Sequence, residues 1–267
     1  MIKWFKQLDG IMRGDATRMS ALKEGRIETP VGGIIAVALL LGATYGVCMG
    51  AYAVIHSGGA SHDAYMQMLA SAVKLPMLFF LTLLITLPSL YVFNALVGSR
   101  LSVLSVIRLL VAMLGVMLAV LASLGPIVVF FSASTESYSF MVLLNVVVAT
   151  LAGFLGLAFL LRTLHRLVLS QIEIDRHHLE AQNDNASEDT GDEKPGIALD
   201  PVNYGTTEKA RSVFRVWVIV FSLVGAQMSW VLRPFIGAPD IPFTWFRARG
   251  SNFFVSVVES IARLFGA

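Results

Sequence analysis

Five apolar stretches, each close to the thickness of a bilayer, set the limits on what this chain can fold into. They run over residues 33–55, 72–96, 103–131, 140–161 and 213–236. A helix needs about 20 apolar residues to cross the ~30 Å hydrocarbon core. In lipid every backbone N–H and C=O must find its partner within the protein, and a helix does this within its own segment. The stretches therefore predict an all-α fold, a polytopic transmembrane bundle of about five spans. Composition agrees: the 267 residues are 56% hydrophobic and 14% charged, whereas a soluble domain carries about 25% charged residues.

Residues 1–30 form a cytoplasmic or interfacial N-terminal segment. Trp4, Phe5, Leu8, Ile11 and Met12 recur near helical spacing among Lys3, Lys6, Arg13, Arg18, Lys23 and Arg26. That pattern fits a short amphipathic helix on an anionic leaflet, and equally an ordinary basic tail. The first apolar run starts near Val31, too late for the core of a cleavable signal peptide. Residues 31–170 hold four spans. Gly125-Pro126 is expected to bend or end the third before the apolar 127–131.

Residues 171–209 are the one soluble-looking insert. Its centre, EAQNDNASEDTGDEKP at 180–195, is acidic and lacks apolar periodicity, so the insert is expected to be largely disordered and cytoplasmic. The stretch 161–179 should extend the fourth helix into water. Residues 210–236 carry the fifth span. Residues 237–267 open on the turn-rich GAPDIP. They then place Phe254, Val257, Val258, Ile261, Leu264 and Phe265 on one side of a helix, with Ser256, Glu259 and Arg263 on the other. That helix is too short to span and reads as interfacial.

Flanking charge sets the orientation. The N-terminal segment, the 97–102 link with Arg100 and Arg108, and the insert with Arg162, Arg166, Arg176, Lys209, Arg211 and Arg215 are basic. The links after spans one and three hold only His56, His62 and Asp63, and Glu136. Basic and non-basic loops alternate, so the N-terminus and the insert are expected to be cytoplasmic. One feature conflicts with this. Five spans put the C-terminus outside, yet the tail holds Arg247, Arg249 and Arg263. A full crossing is preferred over a re-entrant fifth span, because late charges carry less topological weight.

Small residues mark helix-packing faces. Ala38, Gly42, Gly46 and Gly50 repeat every four residues in span one, which lets another helix approach closely, from this chain or another copy. Gly115, Ala119 and Ser123, and Asn145, Ala149 and Gly153, make similar faces in spans three and four. Span two is the most polar. Thr82, Thr86, Pro88 and Asn94 mark a possible polar pathway, since proline frees a carbonyl that can line a cavity. The plainer alternative is a kinked structural helix with Lys74 snorkelling to the outer surface. Arg108 lies near enough to the interface to snorkel too. Trp230 and Arg233 are expected to anchor span five at the interface, with Gln227 bonding inward.

Chemistry-bearing constellations are sparse. The lone Cys48 excludes an intrachain disulfide and a multi-cysteine metal site. His177 and His178, with Asp175 and Glu180, match no ligand spacing. No catalytic or nucleotide-binding motif occurs, and no Asp or Glu falls at a span centre. The expectation is a non-enzymatic protein with no cofactor and no metal. Its net charge is only +2 and its basic residues border apolar runs, so its partners are the lipid bilayer and a second copy or another membrane protein, not nucleic acid.

Three blocks carry a resemblance: LPSLYVFNALVGSRLS at 87–102, LGPI at 124–127 with FFSAST at 130–135, and QMSWVLRPFIGAP at 227–239. Together they resemble a family of uncharacterised polytopic bacterial membrane proteins, some labelled as actin-binding WH2 domain proteins. The likeness covers most of residues 70–255 and implies a place in the bacterial cell inner membrane. The architecture alone is similar to that of Yip-type membrane proteins, with a cytosolic N-terminus, about five spans and roles in membrane organisation. The function expected is a membrane-organising, assembly or scaffold component. The alternative is a small-solute or ion transporter or channel subunit with its path along span two.

Overall fold

The computed structural model describes residues 2–13, 31–57, 61–96, 103–189, 204–238, 241–247 and 250–265. Seven helices account for most of them: α1 (Ile2–Arg13), α2 (Val31–His56), α3 (His62–Leu96), α4 (Val103–Ser134), α5 (Tyr138–Asp189), α6 (Tyr204–Leu232) and α7 (Phe253–Leu264). Among the described residues there is no strand. The fold is an all-α bundle in which α2 to α6 each contain a stretch long and apolar enough to cross a membrane. The chain is a multi-pass integral membrane protein.

The outward side chains show which solvent the bundle meets. Leu84, Phe130, Val147 and Phe154 are each more than 60% exposed. Water would make such a surface aggregate; hydrocarbon accepts it. The interior is built on α4, where Leu110, Leu114, Leu118 and Leu121 are fully buried. Packing runs as a bent row, with α6 on α3, α3 on α2, α2 on α4 and α4 on α5. The row curls so that α5 and α6 touch at its open side, and α7 lies across both. At the other end, Leu8 of α1 is buried against Gly115 and faces Ile34 across the same spot, where a Cβ on Gly115 would lie 3.0 Å from Leu8 Cδ1.

Helix ends follow local chemistry. Ser61 Oγ accepts from Ala64 N at 3.2 Å, Ser137 Oγ from Phe140 N at 3.3 Å, and Asn252 Oδ1 from Val255 N at 3.0 Å. Each satisfies one of the free donors of a first helical turn. α6 stops at Leu232 because Arg233 precedes Pro234, and a residue before proline is pushed out of the helical region.

The structure departs from the sequence reading at several points, among them α6, which starts at Tyr204 inside the expected insert and ends at Leu232 rather than 236. α3 starts at His62, ten residues before the expected 72, because Gln67 and Ser71 are buried and bond to backbone carbonyls rather than to water. Pro126 neither breaks nor ends α4, which continues to Ser134; a break at membrane depth would strand carbonyls with no water to take them. α5 continues to Asp189, so residues 171–189 of the supposedly disordered insert are helical. The Leu, Glu, Ala, Gln and Arg residues there are strong helix formers, and this local propensity outweighs the missing apolar face. The remainder of that insert up to residue 203 lies outside the described residues, as do 14–30. Lys74, expected to snorkel, is 1% exposed.

Candidate functional site

The glycine face of span one turns inward, onto α3. A Cβ at Gly42 would lie 3.0 Å from Pro76 Cβ, at Gly46 2.7 Å from Ala72 Cα, and at Gly50 2.6 Å from Met68 Cα. Ala38, on the same face, is fully buried in the core. This stripe is therefore occupied by a neighbouring helix of the same chain.

The threonine hydroxyls of span two are engaged within the protein. Thr82 Oγ1 donates to the Leu78 carbonyl at 2.7 Å, and Thr86 Oγ1 to the Thr82 carbonyl at 2.8 Å. The Thr86 carbonyl accepts from Trp217 Nε1 at 3.0 Å, a tie between α3 and the fully buried indole of α6. Pro88 is exposed in the same helix. Asn94 sits in the last turn of α3, and its side chain lies outside the described residues.

The end of the bundle where α2 finishes, α3 begins and the 135–137 link lies is closed by the segment that follows α6. Gln67 Nε2 lies 3.1 Å from both the Pro234 and Phe235 carbonyls, and Ser71 Oγ meets the Phe235 carbonyl. Lys74 Nζ donates to the Pro234 carbonyl at 3.3 Å and to the Trp245 carbonyl, with the Phe246 ring centroid 5.1 Å away. Gly237 is needed where the segment crosses α2, since a Cβ there would lie 2.7 Å from Ala53 Cβ and from Gln67 Cγ.

Beside this closure a cavity of about 730 Å³ opens among α3, α5, α6 and α7. Its deep part is apolar, with Met117, Leu121, Leu157 and Phe221. Its outer part is polar, with Tyr138, Arg233, Arg247, Ser256, Ser260 and Arg263. Exposed Thr150, Phe154 and Ser222 also line it, so it opens sideways onto the lipid-facing surface. Asn145, Ala149 and Gly153 form part of the wall. Only Met117 Cε, 3.6 Å away, would meet a Cβ at Gly153. Here small residues leave space rather than admit a helix.

Two members of the site come from the expected interface anchors. The Arg233 guanidinium stacks on Trp230, Cζ to ring centroid 3.5 Å, and Trp230 Nε1 donates to the Ser251 carbonyl at 2.6 Å. Thr82 of the expected polar pathway lines the cavity too, whereas Tyr138, Arg247, Ser256, Ser260 and Arg263 are not among the expected site residues. Tyr138 hydroxyl donates to the Ile236 carbonyl at 3.3 Å, and Arg247 lines the same wall. Arg247 Nε is shielded from solvent and has no acceptor among the described residues. The polar face of α7 looks into the cavity, while Phe254, Val258, Ile261 and Phe265 point away from the protein. The one signal in the sequence was the conflict with the positive-inside rule: Arg247 and Arg263 are two of the three charges that raise it.

No known protein family, curated protein or solved structure matches the chain.

Proposed function

We propose that this is a non-enzymatic, membrane-organising component that works by holding another membrane constituent in the cavity among α3, α5, α6 and α7. One observation carries the reading: the cavity is apolar at membrane depth and opens to the lipid side between α5 and α6. A site of this size and lining suits a small ligand that arrives through the bilayer. The transporter alternative needs a polar path along span two, and the Thr82 and Thr86 hydroxyls are bonded to carbonyls of their own helix. The stripe of Ala38, Gly42, Gly46 and Gly50 favours α3 as its partner, so self-association, where it occurs, uses another face. The resemblance in blocks 87–102 and 227–239 supports a bacterial cytoplasmic membrane, with the N-terminus and the 171–209 segment cytoplasmic by the positive-inside rule.

A photo-activatable residue at Ala149, in membranes, tests this. The expected product is an adduct with a lipid or another membrane protein. Reaction with the chain itself alone would remove the reading. Flux of ions or small solutes in reconstituted vesicles, reduced by Thr86→Ala or Asn94→Ala, would install the transporter in its place.

A further inference from the structure

We infer that the cavity is a binding site for a phospholipid with an anionic headgroup, its head held by Arg247, Arg233 and Arg263 and one chain laid along α5. The inference rests on the reading of the cavity as the working site and names what fills it.

Shape argues for a chain. On α5 the lining residues run from Tyr138 through Asn145 and Gly153 to Leu157. These twenty residues of helix rise roughly 28 Å, at about 1.5 Å for each step between neighbours, most of the depth of a bilayer core. The cavity of about 730 Å³ follows that wall and is mostly apolar, which suits an alkyl chain. The space exists because Ala149 and Gly153 on α5 and Gly225 on α6 carry little or no side chain; a Cβ on Gly225 would meet nothing nearer than Thr82 Cγ2 at 3.6 Å.

Charge argues for the head. The charged residues lining the cavity are three arginines, Arg233, Arg247 and Arg263, and one carboxylate, Glu259. All four sit at the closed end, where α6 stops and α7 lies across it. A guanidinium beside hydrocarbon is costly unless an anion meets it. Arg247 lines this region, and its shielded Nε has no acceptor among the described residues. A phosphate is the group whose geometry a guanidinium fork matches. Ser256 and Ser260, one turn apart on α7, add hydroxyls on the same wall. The outward apolar face of α7 keeps it in the lipid, at the depth where headgroups lie.

Native mass spectrometry of the full chain in detergent tests the assignment, with phosphatidylglycerol and phosphatidylcholine of equal chain length as probes. Phosphatidylglycerol should be retained about tenfold more tightly, the advantage of a charge-assisted bond. Arg247→Gln should erase most of that preference, and Arg263→Gln, on the exposed helix α7, should weaken it without disturbing the bundle. Gly153→Leu, which fills this space, should reduce retention of both lipids while the protein stays monodisperse. Millimolar inorganic phosphate should leave the adduct in place. Equal retention of the two lipids, a preference unmoved by both arginine variants, or displacement by phosphate alone would each overturn the proposal. A photo-adduct at Ala149 with phosphatidylcholine or a protein would sink this assignment and leave the broader reading standing; no adduct would sink both.

Discussion

Lys74 Nζ lies 3.3 Å from the carbonyl oxygen of Pro234, a partner 160 positions along the chain. The lysine is 1% exposed and also reaches the Trp245 carbonyl. An ammonium has three donors, and these carbonyls take the place of the water that burial removes. Lys74 thus fixes both ends of the 233–247 segment to α3, and with it Arg233 and Arg247.

Replacing Lys74 with Met should free that segment while leaving the spans in place. The Trp245 carbonyl loses its Lys74 donor and the Pro234 carbonyl keeps only Gln67, at a cost of about 1–3 kcal/mol. Hydrogen exchange would detect this at the Arg247 amide, which donates to the Arg233 carbonyl at 3.4 Å. Exchange there should accelerate by about tenfold or more, with little change in the middle of α4. Unchanged exchange at Arg247 would show that Gln67 and Ser71 suffice to hold the segment.

Two glycine stripes that look alike in sequence should respond oppositely. Gly46→Leu pushes a side chain into the α3 backbone at Ala72 and should lower stability by about 1–3 kcal/mol or more. Gly153→Leu projects into open cavity, with only a flexible methionine tip nearby, and should leave thermal stability in detergent nearly unchanged. Equal losses for both would mean that the cavity wall is as tightly packed as the α2–α3 contact.

How far the sequence carried differs between fold and site. The spans were legible because each stretch is long, apolar and bounded by polar links, and hydropathy along a single segment records that directly. The start of α3 was not, because Gln67 and Ser71 look like loop residues until the carbonyls of 234 and 235, far away in sequence, arrive as their acceptors. Lys74 was misread for the same reason. The role of Asn145, Ala149 and Gly153 was also out of reach, since a small-residue face is the same string of letters whether a helix or a void lies against it. The arginines of the cavity were visible only as charges that fit the topology rule poorly.

A buried pair joins α2 to α5: Tyr45 hydroxyl donates to Asn145 Oδ1 at 2.9 Å, and Asn145 Nδ2 donates to the Met141 carbonyl at 2.8 Å. Bonds between spanning helices contribute about 0.6 kcal/mol on average, up to roughly 2. Tyr45→Phe should therefore cost about 1 kcal/mol, measured by thermal or denaturant unfolding in detergent. The double variant Tyr45→Phe with Asn145→Leu should recover part of the loss of Asn145→Leu alone, because no hydroxyl is then left without an acceptor. Strict additivity of the two changes would mean that they do not meet in the folded protein.

The two ends of the bundle make a last prediction, about sidedness. α1 packs at one end on α2 and α4, the end from which α5 extends to Asp189. The last turn of α2, the 135–137 link and α7 lie at the other, since Tyr52 hydroxyl donates to the Glu136 carbonyl at 2.7 Å and Tyr138 reaches the Ile236 carbonyl. In a Cys48→Ser background, single cysteines at Ser99 and at Ser187 should therefore label from one side of the membrane, and those at Ser57 and Ser251 from the other. By the positive-inside rule the first side is expected to be the cytoplasmic one. Labelling of Ser251→Cys from the same side as Ser99→Cys would mean that α6 turns back within the bilayer. The arginines around the cavity would then face the cytoplasmic leaflet, and the lipid they hold would have to be drawn from there.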